Sequence, residues 1–403
     1  MQTNGDCMAK IAVKNLYKIF GPNPKKVVPM LEDGATKADV KEKTGHGVGV
    51  NNASFEVEEG EIVVIMGLSG SGKSTLVRCI NRLIEPTSGS VFIDGVDVTK
   101  LSSDELRQLR LQKLGMVFQN FALFPHRTVA ENTEYGLEIA GIEHDERRSR
   151  AMVALEQVGL KGWEDSYPTQ LSGGMQQRVG LARALALNAD ILLMDEAFSA
   201  LDPLIRSDMQ DELLSLQDEM QKTIVFISHD LDEALKLGDR IVLMKDGEIV
   251  QIGTAEDILT DPADEYVRRF VEDVDITKIL TAESVMKKTE TVAWLGTDGP
   301  RAALRKMKKN KISSIFVLRK DRSLAGVISA EEAVKLVQDG ARTLDGALQE
   351  DIVTVQPDTP AADLFQVMHD LPYPLAVVDE KKRLKGVIVR GLLLGAVAER
   401  GAA

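Results

Sequence analysis

The sequence predicts an α/β protein in two parts: a largely parallel sheet covered by helices, then a smaller β-α-β-β-α unit that occurs twice. Three observations carry this. The apolar run Ile62–Met66 leads directly into Gly-Leu-Ser-Gly-Ser-Gly-Lys-Ser-Thr at 67–75, a strand running through a glycine-rich turn into a helix that opens at Lys73. Short apolar strands and helical patterns then alternate to about residue 245, which implies parallel strands flanked by helices. Past residue 280 the pair Ile315–Leu318 and Leu324–Ile328 is echoed by Leu375–Val378 and Leu384–Ile388, an internal repeat.

In chain order, a strand at Ala9–Asn15 leads to Tyr17 and Phe20. Residues 21–47, rich in Gly, Pro, Lys and Asp, read as an insertion. Val50–Glu56 alternates as a strand and Glu58-Glu59-Gly60 is a turn. Further strands are expected at Gly89–Ile93, Leu114–Phe118, Ile191–Asp195, Thr223–Ser228 and Arg240–Lys245. Residues 129–187 are mostly helical, within a helical subdomain spanning about 120–187. The first domain is set at 1–275 and the second at 276–403, with its two copies at about 282–340 and 344–400. Met307 and Met368 fall late in the first helix of each copy.

The 403 residues are 44% hydrophobic and 28% charged, ordinary for folded domains and unlike disordered or fibrous chains. The longest apolar stretches, such as Ile191–Met194 and Leu392–Ala398, are far too short to span a membrane. No signal-peptide pattern opens the chain, and Cys7 and Cys79 make no disulfide framework; Cys79 is expected to serve packing. A soluble cytoplasmic chain is expected, with any membrane role exerted through partners. Net charge is −13, but residues 281–403 carry 19 Lys and Arg against 16 Asp and Glu. The acidity therefore lies in the first part, which argues against nucleic acid as a partner.

The turn at 67–75 is a phosphate cradle. Gly67 and Gly72 let successive N–H groups point inward, and the helix N-terminus adds its positive dipole end. Lys73 can reach β- and γ-phosphates, and Ser74 offers a hydroxyl to Mg²⁺. Ile191–Met194 followed by Asp195-Glu196 is a buried strand ending in two carboxylates. Asp195 can hold Mg²⁺ through water, and Glu196 can orient or deprotonate an attacking water. Leu171-Ser-Gly-Gly-Met-Gln-Gln177 presents a second set of N–H groups at a helix start. One nucleotide does not need two cradles, so a head-to-tail homodimer is expected, each site borrowing the second cradle from its partner.

Together with Gln119 in Val-Phe-Gln, Ser199-Ala-Leu-Asp202 and Ile227-Ser-His-Asp230, these segments resemble the ATPase subunit of an ABC transporter across roughly residues 8–255. The resemblance implies ATP and Mg²⁺ as cofactors. It implies that Phe20 stacks on adenine, with Tyr17 as the alternative. Gly67, Leu68, Ser69, Gly70, Ser71, Gly72, Lys73, Ser74 and Thr75 would hold the phosphates. Ser74, Gln119 and Asp195 would serve the metal. Glu196 would be the general base, with His229 and Gln119 at the γ-phosphate and lytic water. Ser172, Gly173, Gly174 and Gln177 would clamp the partner's nucleotide, and Asp202 would bridge the subunits. Ala197 stands where many family members have proline.

The insertion at 21–47, the run Met194–Arg206 and Met209–Leu213 look like the glycine betaine/proline importers. The repeat resembles a tandem CBS pair. The resemblance then implies an ATP hydrolase at the cytoplasmic face of the membrane, working with permease subunits and a substrate-binding domain. Glycine betaine or a related osmolyte is the implied cargo; choline or carnitine, or a soluble ABC ATPase acting in repair or translation, are the alternatives. CBS pairs often bind adenine nucleotides through Ser/Thr-x-x-Asp. Here the positions hold Ser329 with Glu332 and Val389 with Leu392, which argues against AMP or ATP. The runs Lys306, Lys308, Lys309, Lys311 and Lys381, Lys382, Arg383, Lys385 suggest a salt-screened contact with anionic lipid, or a cyclic dinucleotide at the pair's interface.

Overall fold

The computed structural model describes residues 9–272, 280–289, 291–368, 371–391 and 393. Two compact units emerge, Met1–Val271 and Glu272–Ala403. The domain boundary expected at 275 falls among residues 273–279, and Cys7 and Leu392 likewise lie outside the described residues.

The first unit holds two sheets. The antiparallel one comprises β1 (Ile11–Phe20), β2 (Gly47–Val57), β4 (Ser88–Ile93) and β5 (Val96–Asp97). The second comprises β3 (Ile62–Met66), β6 (Leu114–Phe118), β7 (Ile191–Asp195), β8 (Thr223–Ile227), β9 (Arg240–Lys245) and β10 (Glu248–Gly253). Its order is β10-β9-β3-β8-β7-β6, and every neighbouring pair is parallel except β9 with β10. The inner strands β3, β7 and β8 are buried at every position, as expected of a sheet covered on both faces. The first strand runs on through Tyr17 to Phe20. β5 and β10 were not anticipated; β10 is an edge strand of mixed, half-buried residues.

Residues 21–47 do form an inserted element. It carries α1 (Val28–Glu32) and α2 (Lys37–Thr44), packed on a small cluster of Tyr17, Ile19, Val27, Val28, Leu31, Val40 and Val48. Helix α3 (Lys73–Ile80) follows the glycine-rich turn, and α4 is Ser103–Lys113. The helical region consists of α5 (Val129–Ile139), α6 (His144–Gln157) and α7 (Gly173–Ala186). α8 (Pro203–Met220), α9 (Leu231–Leu237), α10 (Ala255–Thr260) and α11 (Glu265–Val271) complete the unit. Cys79 is fully buried in the core, and burial pushes its thiol up to about 12, so it packs as a small apolar side chain.

The second unit begins with α12 (Ala282–Val285). Its first copy is β11 (Val292–Trp294), α13 (Pro300–Asn310), β12 (Ser314–Leu318), β13 (Leu324–Ser329) and α14 (Ala330–Gln338). The second is β14 (Thr354–Val355), α15 (Ala361–Met368), β15 (Leu375–Val378) and β16 (Leu384–Ile388). In each copy the first strand is parallel to the second and the second antiparallel to the third. Met307 and Met368 are buried in equivalent cores. The sheets share an apolar seam in which Phe316 and Leu318 cluster with Tyr373, Ala376 and Val378.

One expectation for this unit changes. Lys306 does not belong to an open basic face: its ammonium lies 2.7 Å from Asp298 and donates to Val292 O at 2.9 Å. Lys308, Lys309, Lys311, Lys381, Lys382, Arg383 and Lys385 are exposed. Ser329 and Glu332 form a reciprocal capping box at the start of α14, so their spacing has a local use.

Candidate functional site

Four adjacent parallel strands, β3, β8, β7 and β6, end on the same edge of the sheet. Their C-terminal ends deliver residues 67–75, Ser228-His229, Asp195-Glu196 and Gln119, side by side. This is where ligands sit in open α/β sheets. A cleft of about 620 Å³ opens there, lined by Gly49, Gly67–Gly70, Gly72–Thr75, Glu196 and His229.

The turn after β3 depends on its glycines. Gly67 and Gly72 have φ of 142° and 106°, conformations that L side chains avoid. A Cβ on Gly67 would stand 2.1 Å from Met244 O, and one on Gly72 2.2 Å from Gly49 O. Lys73 is 5% exposed, and its ammonium donates to Gly67 O at 2.7 Å and Leu68 O at 3.2 Å. Burial lowers its pKa, opposed by the Glu196 and Asp195 carboxylates. Ser71 Oγ is buried without a partner in the chain. A phosphate would give this cation an anionic partner and bring acceptors to the loop, so the residues present fit a polyphosphate. Ser74, Gln119 and Asp195 offer hard oxygen donors, as Mg²⁺ requires. Among the described residues no cluster of three or more His, Cys, Asp and Glu is placed to hold a metal.

Glu196 has φ 49°, a left-handed backbone that is uncommon outside glycine and often marks a functional turn. Gln119 Nε2 lies 3.3 Å from Glu196 Oε2 and donates to Ser199 Oγ at 3.0 Å. His229 Nδ1 lies 3.6 Å from Glu196 Oε2. The three residues assigned to the reacting water therefore meet at one point. Tyr17 is 6% exposed within the insertion's core, whereas Phe20 is 45% exposed, so only Phe20 offers a ring face. It lies against Gly49, where a Cβ would be 2.8 Å from the ring.

The second glycine-rich segment is elsewhere. Ser172 caps α7 by accepting from Met175 N–H at 3.3 Å; Ser172 and Gly173 are exposed and Gly174 is buried. Gln177 must be reassigned. Its side chain is fully buried, with neither amide atom partnered, so it turns into the protein and not toward a ligand beside Ser172. Asp202 caps α8, accepting from Ile205 N–H at 3.1 Å.

The structure adds residues that no local signal marked. Arg78 on α3 donates to Asp195 at 3.0 Å, balancing the expected metal carboxylate. Beneath His229, buried Glu233 accepts from Ser228 Oγ at 2.5 Å and from Gln210 Nε2 at 3.1 Å. Burial raises its pKa, with the two hydrogen bonds pulling the other way. Asp230 lies 3.3 Å from Arg206, which also donates to Leu201 O; the His229 and Asp202 loops are thereby joined.

A family model described as ABC transporter matches residues 50–199, and the CBS domain model matches 282–339 and 346–399. The chain is 59% identical to the glycine betaine transport ATP-binding protein OpuAA of Bacillus subtilis, over 96% of this chain and 92% of that protein. It is 50% identical to the glycine betaine/proline betaine transport system ATP-binding protein ProV of Escherichia coli, over 97% and 98%. Among solved structures it is similar to the ATP-binding cassette MJ0796, a dimer bound to ADP and Pi in a post-hydrolysis state. That likeness has a TM-score of 0.52 and 36% identity, over 61% of this chain and 98% of the cassette.

Proposed function

The chain belongs to the ATP-binding subunits of the glycine betaine ABC transporters, and we propose that two copies of it close on two ATP molecules to drive import of glycine betaine or a related quaternary ammonium or proline-type osmolyte. The observation that carries this is the meeting of Gly67–Thr75, Asp195-Glu196, His229 and Gln119 at the ends of four neighbouring strands.

In the mechanism we assign, Phe20 stacks on adenine, and the N–H groups and Lys73 hold the β- and γ-phosphates. Glu196 accepts a proton from a water as it attacks the γ-phosphorus, the bond to the β–γ bridging oxygen breaks, and ADP leaves with that oxygen. Gln119 and His229 hold the water and the carboxylate in line. Mg²⁺, held by Ser74, Gln119 and Asp195, would neutralise charge on the phosphates. Ser172, Gly173 and Gly174 would complete the partner's site, and Asp202 would lie at the joint.

Among the described residues no helix is long and apolar enough to cross a membrane. The import reading therefore calls for separate permease subunits and a substrate-binding domain, with this chain on the cytoplasmic face. The test is transport in vesicles holding the full chain and its cognate membrane subunits, with a panel of osmolytes. Glycine betaine should accumulate with ATP consumption. Uptake of choline or carnitine alone would move the cargo, and ATP turnover indifferent to every osmolyte would favour a non-transport ATPase.

For the CBS pair, the exposed Lys308, Lys309 and Lys311 support a salt-screened contact with anionic lipid. Neutralising these three while leaving the paired Lys306 intact should lower the salt threshold for transport in anionic vesicles. An unchanged threshold would turn attention to a cyclic dinucleotide at the pair's interface.

A further inference from the structure

We propose that Lys37, carried on the inserted segment, is a positioning residue for the phosphate-binding loop. Its ammonium donates to Gly70 O at 3.0 Å. The inference rests on reading the cleft as an ATP site and names a residue that the motifs do not contain.

The inserted segment is anchored at both ends beside the cleft. Phe20 and Gly47 are paired in the β1–β2 ladder, so the chain leaves from the exposed ring and returns next to it. His46 fastens the base, its Nε2 lying 2.7 Å from Pro22 O. Between them α2 starts at a full capping box, in which Thr36 accepts from Asp39 N–H and Asp39 accepts from Thr36 N–H. That box fixes where the first residue of the helix points.

The first residue is Lys37, and the placement runs against local preference. A cation in the first turn faces the positive end of the helix dipole, which is unfavourable. The compensation lies outside the helix, at the phosphate loop. Local rules broken in this way concentrate at functional sites.

Gly70 is where such a contact has an effect. It sits at φ 79°, and a Cβ there would meet nothing within 4 Å. Gly70 is exposed, and the Lys37 ammonium is a side-chain partner that fixes where its carbonyl points. Because the peptide is trans and planar, a carbonyl drawn toward Lys37 sends the Ser71 N–H the opposite way. That N–H bonds Leu68 O at 3.1 Å, and the same carbonyl accepts from Lys73 at 3.2 Å. Two lysines thus grip the loop, Lys73 from within and Lys37 from the inserted segment. A loop organised before the nucleotide arrives loses less entropy on binding, so Lys37 raises affinity for nucleotides whose β-phosphate reaches it.

The test uses the purified full chain and displacement of a fluorescent ATP analogue by ATP, ADP and AMP. In Lys37→Gln, ATP and ADP should bind about threefold to tenfold more weakly, while AMP, which lacks a β-phosphate, shifts by less than about twofold. Lys37→Arg keeps a charged donor and should lie within about twofold of the unaltered chain. Unchanged ATP and ADP affinity in Lys37→Gln overturns the inference. So does an equal loss for AMP, which would mean that the Phe20 end had moved, or an arginine variant as weak as the glutamine one. If the unaltered chain bound none of the three, the ATP-site reading itself would fall instead.

Discussion

The two glycine-rich segments at 67–75 and 171–177 both open a helix, yet they use it differently. In the first, α3 has no side-chain cap and begins at Gly72 in a left-handed conformation. Its glycines press against backbone oxygens of Met244 and Gly49. The result is a closed cradle with a buried lysine. In the second, Ser172 caps α7 by its own side chain, and a Cβ on Gly173 would meet nothing nearer than 3.7 Å. The cleft lined by the first segment includes no residue of the second. The first segment closes on its own chain; in the dimer proposed above, the donors of the second would meet the phosphates held by a partner copy's first segment.

That contrast orders the expected effects. The largest falls on the complete site. Glu196→Gln keeps shape but removes the proton acceptor, so ATP hydrolysis should drop at least about a hundredfold while ATP still binds. Near-normal turnover in that variant would remove Glu196 from the chemistry. Next is the sharing itself. Lys73→Ala and Ser172→Arg chains should each be inactive alone. Mixed in equal amounts they should recover about a quarter of the unaltered rate, because random pairing gives mixed dimers with one sound composite site. No recovery on mixing would mean that each chain works with its own 171–177 segment, or that the two sites cannot act singly.

Stability should separate the segments in the same sense. Gly72→Ala forces a Cβ to 2.2 Å from Gly49 O at φ 106° and should cost about 2–5 kcal/mol. Gly173→Ala meets only ordinary contacts and should change stability by less than about 1 kcal/mol, measured by denaturant unfolding. Equal losses in the two variants would erase the distinction drawn above.

The same contrast explains what was legible in the sequence. The first cradle, its strand and its helix are contiguous, so glycine chemistry and apolar runs predict them together. Asp195-Glu196 was readable because it ends a short buried strand, whereas His229 was reached only through the resemblance carried by Ile227-Ser-His-Asp230. Arg78 was not, because its partner Asp195 is 117 residues away and only the sheet order brings α3 beside β7. Lys37 was hidden for the same reason, inside a stretch that reads only as an insertion. Lys306 was misread as open charge because Asp298, just before the start of α13, reaches it from eight residues back. Gln177 was misread because its helical phase, and not its neighbours in sequence, decides that it faces inward.

The first site also has a buried carboxylate close to His229, Glu233, and pH can probe it. Burial raises the pKa of Glu233 above its ordinary value of 4.5. Between that value and the raised one, the folded chain holds a proton that the unfolded chain has released. Its contribution to stability is therefore present at low pH and lost as pH rises through the raised pKa. Glu233→Gln cannot titrate. The melting temperature of the unaltered chain minus that of the variant should grow as pH is lowered from about 8 to about 5. A difference that stays flat would show that Glu233 is not held in this way.

The smallest effect on stability concerns Ser172, where two uses of one hydroxyl can be separated. As a cap it satisfies an N–H at the start of α7, and Ser172→Ala should cost about 1 kcal/mol. Ser172→Asp keeps a capping oxygen and adds favourable charge at a helix start, so stability should be held. In the dimer, however, the added carboxylate would face the partner's γ-phosphate. Two anions at that distance repel strongly in a site sheltered from water. Ser172→Asp should therefore fold like the unaltered chain and lose ATP hydrolysis, whereas Ser172→Ala should be less stable yet keep part of its activity. If Ser172→Asp remained fully active, the hydroxyl would be a cap alone, and the segment would have to bind its partner through the backbone of Gly173 and Gly174.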